Sequence, residues 1–287
     1  MKANEYFKEN LLALKNSQAK HEARAKWEDG TTASKTSIYQ VFEKYGRNEL
    51  PIHTYRDTAI KSAIQEMLWI YKDQTSCLNK AHERGIDWWD NFDVGDNTIG
   101  KAYGYVVNKN NLINNILSDM VENPFSQRHM INLWDKECND YQIKVGGLVP
   151  CAFLSEFNII DNKKSFDIND HLQIRSSDYI TAGAINRIQY YCLGLMICGH
   201  LTYVTGLEHN LNDFSVFTMD LHIYDRHEFA IDELLNAKEL ITTSDFKGSY
   251  QINLKGIKNF YDYDIEDFEI QKPKGLYKLS KKLEIAV

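Results

Sequence analysis

From Ala59 to Tyr71 the apolar residues Ile60, Ala63, Ile64, Met67, Leu68 and Tyr71 recur at helical spacing, which predicts a buried helix. Glu66 stands three positions after Ala63 and four before Ile70, so its carboxylate lies beside the apolar face, where a partly solvated helix carboxylate is the plain expectation. The same spacing predicts a second helix over Leu112–Val121, ended near Asn123-Pro124 because the residue before a proline is disfavoured in a helix. A third over Ile188–Gly199, with Cys192, Leu195 and Met196, is apolar enough to be central. Alternating apolar and polar residues predict strands over Cys151–Ile160, Asp170–Arg175 and Ser215–Tyr224. Helices and strands mix without a regular βαβ rhythm, and no internal repeat is visible. The expected fold class is therefore α+β, a largely antiparallel or mixed sheet with helices packed on one side. Four prolines and fifteen glycines, none gathered into a linker, leave a single domain, 1–287, as the expected organisation.

A 43% hydrophobic content is that of a folded globular chain. The formal charge of −7 denies the surface the positive field that a phosphate polymer needs, so no nucleic-acid polymer is expected as a partner. Five cysteines, Cys77, Cys138, Cys151, Cys192 and Cys198, form no C-x-x-C pair and cannot all be paired within one chain, which favours reduced thiols. The first sixteen residues mix Lys and Glu with Leu in a helical pattern, unlike a signal peptide, and no stretch has the apolar length to cross a bilayer. A cytoplasmic location, with no membrane partner, is the expectation.

Cys151 follows Pro150 at the start of a predicted strand, where backbone geometry is fixed and a side chain can be held toward a cleft. A lone cysteine is more often an inert core residue unless something activates it. Arg175, in Ile174-Arg175-Ser176-Ser177-Asp178 at the end of another strand, is a candidate activator, since a nearby guanidinium raises the thiolate population and can also hold a phosphate. The competing expectation for Arg175 is a surface ion pair with Asp178. Period-two alternation puts Asp220, His222 and Tyr224 on one strand face, suited to a polar ligand or equally to solvent. Trp88-Trp89-Asp90, Phe92 and Tyr103-Gly104 concentrate rings that can stack on a heteroaromatic cofactor, although such clusters are more often core. The nine histidines include no H-E-x-x-H pair and no Cys/His cluster has zinc spacing, so no metal is expected.

In order, these segments resemble the thymidylate synthase family, from Arg24 to the C-terminus. Ala63-Ile64-Gln65-Glu66-Met67-Leu68-Trp69 resembles the helix with its catalytic glutamate, Asp87-Trp88-Trp89-Asp90 the Trp-Asp segment, and Ile99-Gly100-Lys101-Ala102-Tyr103-Gly104 the Gly-x-x-Tyr-Gly loop. Pro150-Cys151 resembles the nucleophile motif, Arg175-Ser176-Ser177-Asp178 with Asn186 the Arg-Ser-x-Asp…Asn run, and Asp220-Leu221-His222-Ile223-Tyr224 the Asp-x-His-x-Tyr strand. Phe260-Tyr261-Asp262-Tyr263 through Ala286-Val287 resembles the terminal strand and hydrophobic tail.

The resemblance implies that Cys151 adds to C6 of dUMP and that C5 is methylated from 5,10-methylenetetrahydrofolate, giving dTMP. It implies that Arg175 favours the thiolate and binds phosphate with Arg24 and Ser176, that Asn186 reads the pyrimidine edge, and that His222 and Tyr224 hold the sugar hydroxyl. Glu66 and Tyr103 would manage protons at the base, Asp178 and Trp89 would face the folate, and the Val287 tail would close over it. It further implies a homodimer through the sheet, with Arg128 of one subunit reaching the phosphate site of the other.

The chain departs from the family's pattern at several places. Gln127-Arg128 replaces two adjacent arginines, Ala182-Gly183-Ala184-Ile185 a Gly-x-Pro-Phe run, and Thr218-Met219 a glycine-containing turn. Phe92, Ala152 and Ile174 stand where tryptophan, histidine and glutamine are common. Three competing readings follow: a dUMP or dCMP 5-hydroxymethyltransferase of the same superfamily, a non-catalytic nucleotide- or RNA-binding homologue, and a cysteine hydrolase built on Cys151 and His222. Asn186 favours uracil over cytosine, because cytosine-specific relatives resemble the family with an aspartate there.

Overall fold

The structure, a computed structural model, describes residues 2–237 and 250–287. Met1 and residues 238–249, both within the expected domain 1–287, lie outside the described residues. Helix α1 (Lys2–Asn16) leads into strands β1 (Lys20–Lys26) and β2 (Thr32–Tyr45), then helices α2 (Ile60–Tyr71), α3 (Leu78–Glu83), α4 (Gly104–Lys109) and α5 (Leu112–Glu122). Strand β3 (Met130–Asn132) and helix α6 (Lys136–Val145) precede strands β4 (Ala152–Asp161), β5 (Phe166–Ile174) and β6 (Ser177–Asp178). A π-helical turn, Tyr179–Gly183, opens α7 (Ala184–Thr205), followed by β7 (His209–Tyr224), α8 (Glu228–Asn236), β8 (Gln251–Leu254) and β9 (Phe268–Gln271).

The main sheet runs β1-β2-β7-β5-β4-β3, with β6 added beside β7. Pairing is antiparallel except for β5 and β6 against β7, so the mixed sheet expected from the sequence is the one observed. Helix α7 packs on β5 and β7, and α2 packs on α7. Ile64, Met67 and Leu68 of α2 join Leu193, Met196 and Ile197 of α7 in the core. Removing this apolar surface from water, at about 25 cal/mol per Å², is the main driving force for the layering. A second cluster joins Phe7, Leu11 and Leu14 of α1 to Leu221 and Ile223 of β7 and to Ile231 and Leu234 of α8.

The predicted helices and strands are all present, several longer than their periodicity indicated. α7 extends beyond Ile188–Gly199 at both ends, and β7 begins at His209 rather than Ser215. Apolar Tyr39, Phe42 and Met219 remain exposed on β2 and β7, as does Met130 on β3.

Candidate active site

Antiparallel pairing of β4 with β5 sets Ala152 opposite Ile174, so the residues just outside that rung, Cys151 and Arg175, fall side by side. The Arg175 backbone N–H donates to the Cys151 carbonyl at 2.9 Å, extending the ladder by one bond. The Arg175 guanidinium turns back over the same segment: Nε donates to Pro150 O at 2.9 Å and Nη2 to Val149 O at 2.7 Å, with Nη2 3.5 Å from Cys151 Sγ. This is the proximity that the activator expectation calls for; among the described residues no ion pair joins Arg175 to Asp178. Burial pushes the Cys151 thiol above its ordinary value, and the positive charges of Arg175 and Arg24 oppose that rise without cancelling it.

On the other side of the nucleophile, the Cys151 N–H donates to Tyr103 Oη at 3.0 Å. Tyr103 is buried and has a φ of 48°, a left-handed conformation that a bulky residue adopts only when its surroundings impose it. Gly104 supplies part of that constraint, since a Cβ there would stand 2.2 Å from the Thr75 carbonyl oxygen. Burial, with the nearby Cys151, raises the Tyr103 phenol well above its ordinary value.

Glu66 corrects the expectation of a partly solvated carboxylate. It is 5% exposed because α2 is packed on nearly its whole circumference, with Ala63, Ile64, Met67, Trp69 and Ile70 all buried around it. Trp88 Nε1 donates to Glu66 Oε2 at 2.7 Å. Burial raises the carboxyl to about 7, against the opposing influence of Gln189, Trp88 and Trp89. Gln189 also accepts from Asn186 Nδ2 at 3.2 Å, which ties the start of α7 to the Glu66 neighbourhood. Trp89 is buried among Trp69, Phe92 and Tyr103, with ring centroids 6.1, 5.3 and 5.4 Å away.

Parallel pairing of β6 with β7 sets Asp178 opposite His222. His222 Nδ1 lies 3.2 Å from Asp220 Oδ1, Asp220 pairs with Lys35 at 2.5 Å, and the Tyr224 ring stands edge-on to His222 at 5.1 Å. Asp220, His222 and Tyr224 share a face as the alternation predicted; His222 is only 4% exposed, while Asp220 and Tyr224 are half-buried. No hydrogen bond joins Cys151 to His222 among the described residues, and the hydrolase pair is not formed. Burial pushes the Asp178 carboxyl up, but His227, Thr181 and the charge of His222 outweigh it and hold the group below the usual carboxylate range. His227 Nδ1 is 3.6 Å from Asp178 Oδ2, while Oδ1 is buried without a hydrogen-bond partner among the described residues.

Arg24, on β1, is exposed and makes no hydrogen bond or ion pair among the described residues, yet its charge is felt by both Cys151 and Tyr224. Ser176 is half-buried in the connection between β5 and β6. Val287 closes onto β1: Lys26 N donates to Val287 O at 2.7 Å and Val287 N to Lys26 O at 2.9 Å. Arg128 stands apart, exposed in the segment entering β3. Residue-by-residue reading missed Trp88 as the partner of Glu66, as well as Gln189, Lys35 and His227. Gln189 had a local signal, standing three residues after Asn186 and so on the same side of a helix.

A cysteine held against a guanidinium, a buried carboxyl that burial raises to about 7 and an α+β scaffold suit one class, the enzymes that work through a cysteine nucleophile. The sequence profile described as Thymidylate synthase matches residues 6–287. Thymidylate synthases of Streptococcus gordonii and Streptococcus pneumoniae are each 36% identical to the chain over 274 residues, with 94% of both partners covered. The solved structure of thermostable thymidylate synthase A from Bacillus subtilis superposes with a TM-score of 0.84 at 26% identity, covering all of both chains. The chain belongs to the thymidylate synthase family, whose activity is conversion of dUMP to dTMP with methylenetetrahydrofolate as cosubstrate.

Proposed function

We propose that the chain methylates dUMP through a covalent bond from Cys151 Sγ to C6 of the pyrimidine. Addition at C6 makes C5 nucleophilic; after C5 has taken the one-carbon unit, loss of its proton with departure of the carrier leaves an exocyclic methylene, and hydride added to that carbon makes the methyl group as the C5–C6 double bond re-forms and the Cys151 thiolate is expelled. Arg175 supports the anionic sulfur in this reading and, with Arg24, Ser176 and the partner subunit's Arg128, holds the phosphate. Asn186 reads the uracil edge, donating to a ring carbonyl and accepting from the ring N–H. His222 and Tyr224 hold the sugar hydroxyl. A carboxyl near 7 suits Glu66 to hold or release a proton at the pyrimidine O4, with Tyr103 as its partner in proton handling.

Methylenetetrahydrofolate supplies the one-carbon unit and the hydride when bound. The residues fit it: the unpaired buried Asp178 Oδ1 is an acceptor for a ring N–H, and the Trp88, Trp89 and Phe92 rings offer flat apolar surface. The Val287 tail closes over that region. No step in this reading calls on a metal. The exposed Phe42, Tyr39 and Met219 support a homodimer through the sheet, in which Arg128 serves the opposite site. The reading takes 1–287 as one catalytic domain acting in the cytoplasm. No helix among the described residues is long and apolar enough to cross a membrane.

The observation that carries the proposal is Cys151 Sγ 3.5 Å from Arg175 in a chain of this family. Incubation with dUMP and methylenetetrahydrofolate should yield dihydrofolate in step with a methylated nucleotide, read by mass. A hydroxymethylated nucleotide with tetrahydrofolate released unoxidised would overturn it in favour of the hydroxymethyltransferase.

A further inference from the structure

Beneath the π-helical turn lies a buried charge cluster that the reaction chemistry does not use. Arg187, 3% exposed, donates from Nε to Glu43 Oε2 at 2.6 Å and from Nη1 to the Gly183 carbonyl at 2.8 Å, and its guanidinium sits 5.5 Å from the Tyr179 ring centroid. Glu43, 1% exposed on β2, accepts further bonds from Asn10 Nδ2 at 2.9 Å and Tyr45 Oη at 2.8 Å. Asn10 Nδ2 also lies 3.1 Å from the Tyr179 hydroxyl. Gly183 is clamped in between: a Cβ there would stand 2.8 Å from Tyr179 Cδ2.

The cluster therefore grips both ends of Tyr179–Gly183, the segment that separates Asp178 from Asn186. A buried ion pair stabilises a fold poorly compared with apolar residues of the same volume, and here one guanidinium nitrogen, Nη2, is left unpaired among the described residues. What such a pair supplies is a single geometry. A π-helical turn is an irregular way to open a helix, and Ala182-Gly183-Ala184-Ile185 contains no proline to fix its backbone.

We propose that Arg187, anchored by Glu43, is a positioning residue for base recognition: it fixes the π-helical turn so that the Asn186 amide meets the pyrimidine edge in one orientation. This rests on Asn186 being the base reader. Arg187 touches no substrate in this scheme and acts only through the residue beside it.

The test uses the full-length protein and a neutral pair, Arg187→Met with Glu43→Gln, which removes both charges together and leaves no uncompensated ion. The ratio of kcat/KM for dUMP to that for dCMP is measured alongside the dissociation constant of inorganic phosphate. The expected result is a fall of about tenfold or more in the ratio, with phosphate affinity within about twofold of the parent. Arg187→Lys, which keeps the charge but loses the forked contact to Gly183, should fall between the two and carries the test if the double variant does not fold. Asn186→Asp is measured in parallel. If Asn186→Asp shifts preference toward dCMP while the Arg187 variants keep the parental ratio, the positioning inference is overturned and the base reader stands. If Asn186→Asp leaves the preference unchanged, the base reader falls and the inference with it. An equal loss of phosphate affinity would show a general loosening of the site and would also overturn the inference.

Discussion

The indole N–H of Trp88 donates to Glu66 Oε2 at 2.7 Å, and it is the one side-chain hydrogen bond of good geometry that the buried carboxylate accepts among the described residues. A hydrogen bond to a carboxylate favours its ionised form, so Trp88 opposes the rise caused by burial. Trp88→Phe keeps the ring and removes the donor. The carboxyl should move further above its present value near 7, by about one unit, and the limb of the pH–kcat profile that reports Glu66 should move upward with it. An unmoved limb would show that Glu66 is not the titrating group.

The same carboxyl predicts a pH dependence of stability. Its value is raised in the fold, from 4.5 to about 7, so between those limits the native state keeps a proton that the unfolded chain has lost. This group's contribution to stability is therefore full below about 4.5, declines as pH rises to about 7, and changes no further above it. The integrated loss is on the order of 3 kcal/mol. In Glu66→Gln, which cannot ionise, this decline should vanish from chemical denaturation midpoints measured across that range. A parallel decline in both proteins would assign it to other groups.

The motifs along the chain were legible because each joins a chemically distinctive residue to a strong local period, as with Cys151 at a strand start and Glu66 within an apolar helix. Burial of Glu66 was not legible, since it depends on α7 and the Trp88 segment covering the helix edge, and no local pattern encodes that covering. Strands β1 and β2 escaped notice because their exposed Lys and Glu and their buried Ser37 and Glu43 break the alternation that marks a half-buried strand. The partners of Asp178 and Asp220, His227 and Lys35, are remote in sequence and meet only through the sheet.

Cys151 offers a third prediction. With burial raising the thiol and Arg175 opposing, alkylation of the resting enzyme by iodoacetamide at pH 7.5 should be slower than that of a free cysteine. Arg175→Gln should slow it further, by about tenfold for each unit of additional rise. Cys151→Ser should lower turnover by at least about three orders of magnitude with an unchanged melting curve. Cys192 and Cys198 are buried in the core and their thiols are raised by burial alone or chiefly so, so they should stay unlabelled under the same conditions. Equal labelling rates with and without the Arg175 charge would remove the activator role.

The last prediction concerns the C-terminus. Val287 forms two backbone hydrogen bonds with Lys26, each worth about 1 kcal/mol net, and β1 also carries Arg24 two residues earlier. A second anchor lies three residues before the end, where Arg226 Nη1 binds Glu284 at 2.8 Å while Nη2 holds Asp29 at 2.6 Å and the guanidinium sits 4.8 Å from the Trp27 ring centroid. In the proposed reading the last four residues, which follow the packed Leu283, open and close during turnover, and the closed tail excludes water from the folate region. Deleting Val287 removes both backbone bonds and should raise KM for methylenetetrahydrofolate about tenfold and lower kcat, leaving the dUMP dissociation constant within about twofold. Glu284→Ala, which frees one anchor and keeps the other, should give a smaller change in the same direction. If Val287 deletion weakened dUMP binding as much as folate use, the tail would be holding the nucleotide site together rather than closing over its cosubstrate.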